Sequence, residues 1–260
     1  MNTYATGALT WSDAAGHSVR SPIAVRPVSV LNPPEVSSDG SAITYPVTFG
    51  YTGTLGHETR GLLPATITEG SVQDDPTDNF VDASGPGTTE FDMVIPAGAQ
   101  LARFALYNDA VDGAHDLDLY ILDGAGNLIG ASGGTTSDET VTFAQNFATA
   151  FPVKVVVHGF NTATAAAANF KLHTWFVRRV ATVPNNMLVT RPSSVTNGSS
   201  ADITLTFPNL VSGVRYLGQV ALHERHGEHP RHRADGVERA VHRVAEPHDL
   251  AELVIGVADG

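Results

Sequence analysis

Apolar and polar residues alternate in short runs along most of this chain, and most runs end in a turn. Residues 101–107 place Ala102, Phe104 and Leu106 on one side and Leu101, Arg103, Ala105 and Tyr107 on the other. Residues 116–122 do the same with Leu117, Leu119 and Ile121. Period two is the side-chain period of a β-strand, and a helix cannot bury a stripe with that spacing. Runs at 44–51, 90–95, 139–143, 153–158 and 169–175 predict further strands. The stretch 123–127, Asp-Gly-Ala-Gly-Asn, predicts a hairpin loop into a return strand opening at Leu128. Strands this short, separated by turns, predict an all-β fold of tandem antiparallel β-sandwich domains, jelly-roll or immunoglobulin-like. The Phe104 side is the expected core face. Residues 61–66 read as a short apolar edge segment and 73–77 as a loop.

Composition agrees with that class and narrows the partners. Twenty-five Gly and fifteen Pro in 260 residues suit many turns, and no apolar run reaches the length of a membrane-spanning helix. Acids outnumber bases by 27 to 15, so neither nucleic acid nor an anionic membrane is an expected partner. Cysteine is absent, which removes disulfides and thiolate metal sites from consideration. The first ten residues have no basic stretch followed by an apolar one, so they do not read as a signal peptide. Two lysines against thirteen arginines, with abundant Ala and Gly, suggest a GC-rich genome.

Residues 4–28 contain two apolar-alternating runs flanking a polar turn, the pattern of a β-hairpin. A lone hairpin is marginal in water, so residues 1–28 are expected to belong to a larger domain upstream of Met1, to dock on the next domain, or to be poorly ordered. Gly7-Ala-Leu-Thr-Trp-Ser-Asp13 followed by His17-Ser-Val-Arg-Ser-Pro-Ile-Ala-Val25 resembles the end of the fibronectin type III-like domain of subtilisin-like serine proteases. A second resemblance covers residues 91–175. Its motifs are Phe-Asp-Met-Val-Ile-Pro-Ala-Gly, Ala-Arg-Phe-Ala-Leu-Tyr-Asn-Asp, Asp-Leu-Asp-Leu-Tyr-Ile-Leu-Asp-Gly and Val-Lys-Val-Val-Val-His-Gly-Phe. In this order they look like the bacterial pre-peptidase C-terminal domain. The two resemblances imply an exported bacterial chain that serves a peptidase as an accessory region. Its partners would be the upstream catalytic domain or a protein or polymer substrate.

Residues 178–186 read as a linker. The runs 186–190, 201–207 and 214–220 then open a small immunoglobulin-like module. The expected domains are therefore 1–28, 29–179, 184–220 and an aberrant tail, 221–260, with the first and last modules incomplete. His223, His226, His229 and His232 fall in that tail. Their three-residue spacing suits one helix face, but Pro230 interrupts it, which weighs against a metal site. A shifted reading frame over 222–237 is the preferred explanation, because reading one nucleotide later can encode a strand, an Asn-Gly turn and a second strand.

Catalytic motifs do not occur. The protease resemblance predicts Asp-Ser/Thr-Gly, His-Gly-Thr and Gly-Thr-Ser-Met, and the chain has none of them. His158-Gly159-Phe160 superficially resembles the second but reads as a strand-end histidine. The remaining candidate is acidic. Asp109, Asp112, Asp116 and Asp118 fall in one loop and the following strand, and hard cations such as calcium take several oxygen ligands. Calcium is accordingly the one cofactor considered, with a solvated outer face as the bland alternative. Tyr51, Tyr107, Tyr120 and Trp175 are polymer-binding candidates by type, although Trp11 and Trp175 are better read as core. The leading expectation is a non-catalytic, extracellular accessory fragment of a subtilisin-like peptidase. The alternative is a free-standing extracellular module that binds calcium or polysaccharide.

Overall fold

The computed structural model describes residues 4–162, 165–179, 186–225 and 251–257, with only the backbone at 251–254 and 257. Among these residues the regular structure is strand, apart from one 3-10 turn at Asn108–Ala110. The antiparallel all-β architecture expected from the alternation is present.

The first two strands, β1 (Ala5–Ser12) and β2 (Ser18–Val25), form a two-stranded antiparallel ribbon by themselves. Asp13 shapes the turn by accepting hydrogen bonds from the amides of Ala15 and His17, and Gly16 supplies the left-handed φ of 87°. In-register partners share a face of a ribbon. One face thus carries Leu9, Trp11, Val19, Ile23 and Val25, and the other Thr6, Thr10, Ser12, Ser18 and Arg20. The apolar face is uncovered. Trp11 and Val19 are each 63% exposed, so the expectation of a buried Trp11 fails. Burial needs a second layer, and none of the described residues supplies one.

The chain divides into two compact units, and their boundaries differ from those read off the sequence. Unit 1 comprises Met1–Thr59, Asn185–Leu210 and Gln219–Gly260. Its strands are β3 (Val30–Leu31), β4 (Glu35–Ser38), β5 (Ile43–Phe49) and most of β6 (Gly53–Pro64). Unit 2 comprises Arg60–Pro184 and Val211–Gly218. It holds β7 (Thr66–Gln73), β8 (Thr88–Ile95), β9 (Ala99–Leu106), β10 (Asp116–Asp123), β11 (Leu128–Ser132), β12 (Glu139–Phe143), β13 (Phe151–Asn161) and β14 (Ala167–Arg178). The chain then returns to unit 1 with β15 (Leu188–Thr190), β16 (Ser194–Val195), β17 (Ser200–Thr206), most of β18 (Tyr216–Arg225) and β19 (Ala251–Val257).

The segment expected to form an incomplete third module is not self-contained. β17 pairs with β5, setting Ile203 opposite Tyr45, and the sheet order is β15-β17-β5-β3. The second sheet of unit 1 runs β16-β6-β18-β19-β4. Strand character also continues past Val220. β18 extends to Arg225 with Ala221 and Leu222 fully buried, and β19 pairs in parallel with β4. The expected tail of irregular character therefore begins no earlier than residue 226. Residues 180–185 of the proposed linker and 226–250 of the proposed frameshifted tail lie outside the described residues. Leu62, expected on an edge, is fully buried in β6, an inner strand.

Unit 2 consists of two four-stranded antiparallel sheets, β11-β10-β13-β8 and β12-β9-β14-β7. Their inner faces share one core. Ala102, Phe104 and Leu106 enter it from β9, Leu117, Leu119 and Ile121 from β10, and Val153, Val155 and Val157 from β13. For β9 and β10 these are the faces the alternation assigned. Phe104 meets Phe143 and Phe176 edge-on, with centroids 6.4 and 5.9 Å away. The period-two rule then sends Asp118, Tyr120 and His158 to the outer face of the first sheet.

Candidate functional site

That outer face is covered by the segment 74–87, which joins β7 to β8. Antiparallel pairing sets His158 of β13 directly opposite Asp118 of β10. The imidazole of His158 is fully buried, and both of its nitrogens meet carboxylates. Nε2 lies 2.9 Å from Asp75 Oδ2, and Nδ1 lies 3.4 Å from Asp118 Oδ2. Asp75 is itself 1% exposed, and its other oxygen accepts from the Thr77 amide and hydroxyl at 2.9 and 2.8 Å. Tyr120 donates its hydroxyl proton to Asp118 Oδ2 across 3.2 Å. The Phe80 ring lies flat over Tyr120 with centroids 3.8 Å apart.

Two backbone hydrogen bonds fasten both ends of the segment to one residue. The Asp75 amide donates to the Gly159 carbonyl and the Gly159 amide donates to the Gly87 carbonyl, each at 2.8 Å. The Thr162 amide adds a bond to Asp74 Oδ1 at 2.7 Å. Position 159 must be glycine, because a Cβ there would collide with the Gln73 carbonyl oxygen.

The electrostatics follow from the geometry. Burial favours neutral imidazole, but the hydrogen bonds and charges of Asp118 and Asp75 together outweigh it and raise the pKa of His158 above its ordinary value. The bond from His158, with help from the Thr77 amide, pushes Asp75 down to about 2. Burial, reinforced by the Asp118 charge, pushes Tyr120 up to about 12, so it serves Asp118 as a donor. The raised pKa favours the imidazolium form of a ring held between two carboxylates. A serine-protease triad needs one imidazole nitrogen facing a hydroxyl nucleophile. Here carboxylates occupy both, and His158 has no nitrogen left for that task.

The four acids singled out in the sequence do not converge. Arg215 Nη2 donates to both oxygens of Asp109 at 2.8 and 2.6 Å, and the same guanidinium stacks 3.8 Å over the Tyr107 ring. Asp112 accepts from the Asn169 amide at 2.9 Å and from its side chain. Asp118 is engaged by His158 and Tyr120. Asp116 is left beside it, its pKa raised by burial and then by the Asp118 charge, with Oδ1 lacking a hydrogen-bond partner. Among the described residues no cluster of three or more His, Asp or Glu side chains is placed to hold a metal ion. The four acids therefore do not make a multidentate oxygen shell among themselves. The aromatic candidates are equally occupied. Tyr51 and Trp175 are buried, Tyr107 is capped by Arg215, and Tyr120 is capped by Phe80.

Asp75 and Phe80 were not among the sequence candidates, and His158 was read only as a strand-end histidine. Eighty-three positions separate Asp75 from His158, and no local spacing links them. The legible signal was Asp75-Pro-Thr77, an Asp-initiated turn able to present its carboxylate to its own backbone. No family model matches this chain, and no curated protein matches it.

Proposed function

We propose that this chain is a non-catalytic accessory region of a secreted subtilisin-like serine peptidase, with peptide-bond hydrolysis carried out by a separate catalytic domain. The observation that carries the reading is the ribbon Ala5–Val25. Its apolar face presents Leu9, Trp11, Val19, Ile23 and Val25 to solvent, and its opposite face mixes Thr6, Thr10, Ser12, Ser18 and Arg20 with Ala8, Pro22 and Ala24. A two-stranded ribbon gains stability by adding to a larger sheet or packing on another layer. Exposed apolar faces of this kind mark contact surfaces. The protease-like motif lies on this ribbon, so the same residues that resemble the end of an accessory sandwich also need one. The carboxylate-locked His158 supports the non-catalytic part of the proposal.

Two measurements test it. The DNA immediately upstream of the Met1 codon is expected to encode a subtilisin-like catalytic domain in frame. The isolated chain is expected to leave casein intact. An independent promoter and export signal leading into Met1 would overturn the reading, as would casein turnover abolished by a serine-directed inhibitor.

A further inference from the structure

We propose that residues 74–87 form a pH-sensitive strap, clamped onto the outer face of unit 2 while His158 is protonated and released from its middle when the proton is lost. This inference does not rest on the peptidase reading. Protonated imidazole is a donor at both nitrogens, and here each nitrogen faces an acceptor, Asp75 on the strap and Asp118 on β10. Neutral imidazole keeps one N–H. Its other nitrogen then turns a lone pair toward a carboxylate oxygen in a site closed to water, where an unpaired polar group is costly.

Among the described residues no second cation faces the pin. On β10 the groups facing the pin are Asp118 and the Tyr120 hydroxyl, with Asp116 beside them. Glu139 of β12 adds a further carboxyl near Asp118. Lys154, also on β13, is committed to Glu90 and Asp92 at 2.9 and 3.1 Å. The strap itself contains Asp74, Asp75, Asp78 and Asp82 and no lysine or arginine. Loss of the one positive charge therefore leaves like charges on both sides of the contact.

Of the two carboxylates, Asp75 is the one that can leave. Asp118 sits in a strand paired on both sides, by β11 and β13. Asp75 sits in a connection held at its ends by the Gly159 backbone and in its middle by the Phe80–Tyr120 stack. Loss of the pin frees the Asp75 side chain while the Gly159 bonds still hold both ends, so the strap opens where the Phe80–Tyr120 stack holds it and uncovers two aromatic rings. The raised pKa of His158 sets the direction. The clamp is complete below the ordinary histidine value and is lost as pH rises through the folded value.

Site-resolved chymotrypsin cleavage of the full chain tests the strap. Cleavage after Phe80 would be read by mass spectrometry at about pH 6 and about pH 9, each rate divided by that of a free peptide spanning 74–87. Cleavage after Phe104, deep in the core, reports global unfolding. The Phe80 ratio is expected to rise roughly severalfold, each unit between the clamped and released pKa of His158 being worth about tenfold, while Phe104 stays protected. His158→Gln is expected to abolish the step and hold the ratio at its alkaline level. A flat wild-type ratio, a step retained in His158→Gln, or Phe80 and Phe104 rising together would each overturn the proposal. If the variant unfolds, the wild-type His158 ring resonances decide. A titration midpoint coinciding with the cleavage step supports the strap, and one lying elsewhere refutes it.

Discussion

Gly159→Ala should damage unit 2 far more than a methyl group elsewhere in the same unit. The added Cβ meets the carbonyl oxygen of Gln73, with the Gln73 carbonyl carbon 3.2 Å and Thr162 Cγ2 3.3 Å away. Gln73 is paired with Ala167 at the end of β7, so the oxygen cannot retreat without opening that ladder. Overpacking of this kind costs about 1–3 kcal/mol. Displacing Gly159 also weakens its two bonds to the strap, to Asp75 and Gly87, at about 1 kcal/mol each. The lower entropy of an unfolded chain with alanine returns about 0.4–1 kcal/mol. The net expectation is a loss of about 3 kcal/mol.

Gly124→Ala is the control. The nearest atom to its Cβ would be Pro152 Cβ at an ordinary 3.6 Å, and the backbone there is not left-handed. With no clash, the entropic term alone predicts a gain of about 0.5 kcal/mol. Urea denaturation followed by Trp175 fluorescence reads both variants, because that indole is buried within unit 2. If Gly159→Ala lies within about 0.5 kcal/mol of wild type, or both variants lose equally, the steric argument for the strap anchor is wrong.

Two further expectations concern charge and core. Asp75 has a folded pKa depressed from 3.8 to about 2, so its contribution to stability is complete above the unfolded value and disappears as pH falls through the folded one. Melting temperature recorded against pH should show this acid limb in wild type and lose it in Asp75→Asn; an unchanged limb would rule the assignment out. Phe104→Ala removes a fully buried ring with two edge-on aromatic neighbours and should cost about 3–5 kcal/mol by urea denaturation, whereas a loss under about 1 kcal/mol would mean the core lies elsewhere.

Legibility in the sequence tracked the burial of one face. In β9 and β10 the residues that meet the core of unit 2, Ala102, Phe104, Leu106, Leu117, Leu119 and Ile121, were readable from period alone. β7 escaped notice. It is an edge strand whose side chains are mostly exposed, so Thr66–Gln73 carries no alternation to read. The segment 61–66 failed for the opposite reason. Gly61-Leu62-Leu63 is apolar throughout, and a continuous apolar run does not separate an edge from an inner strand. Trp11 failed because an aromatic residue in a strand pattern declares a face but not the presence of anything to cover it. Asp116 and Asp118 were placed correctly on one strand, yet spacing could not tell that Asp109 would be taken by Arg215 and Asp112 by Asn169.

The amino-acid sequence by itself determined the class of this protein. Two-residue alternation, glycine- and proline-bounded turns and β-branched runs leave antiparallel sheets as the consistent solution, since they are local properties of the backbone. Partnership belongs to the tertiary structure. Only it joins residues 30–59 to 186–210 and 219–225 in one unit, hangs both ends of the strap on Gly159, and sets His158 between Asp75 and Asp118. These contacts close over tens to hundreds of residues, and the physics that selects them, exclusion of water from a charged cluster and backbone approach without a Cβ, leaves no periodic trace in the chain.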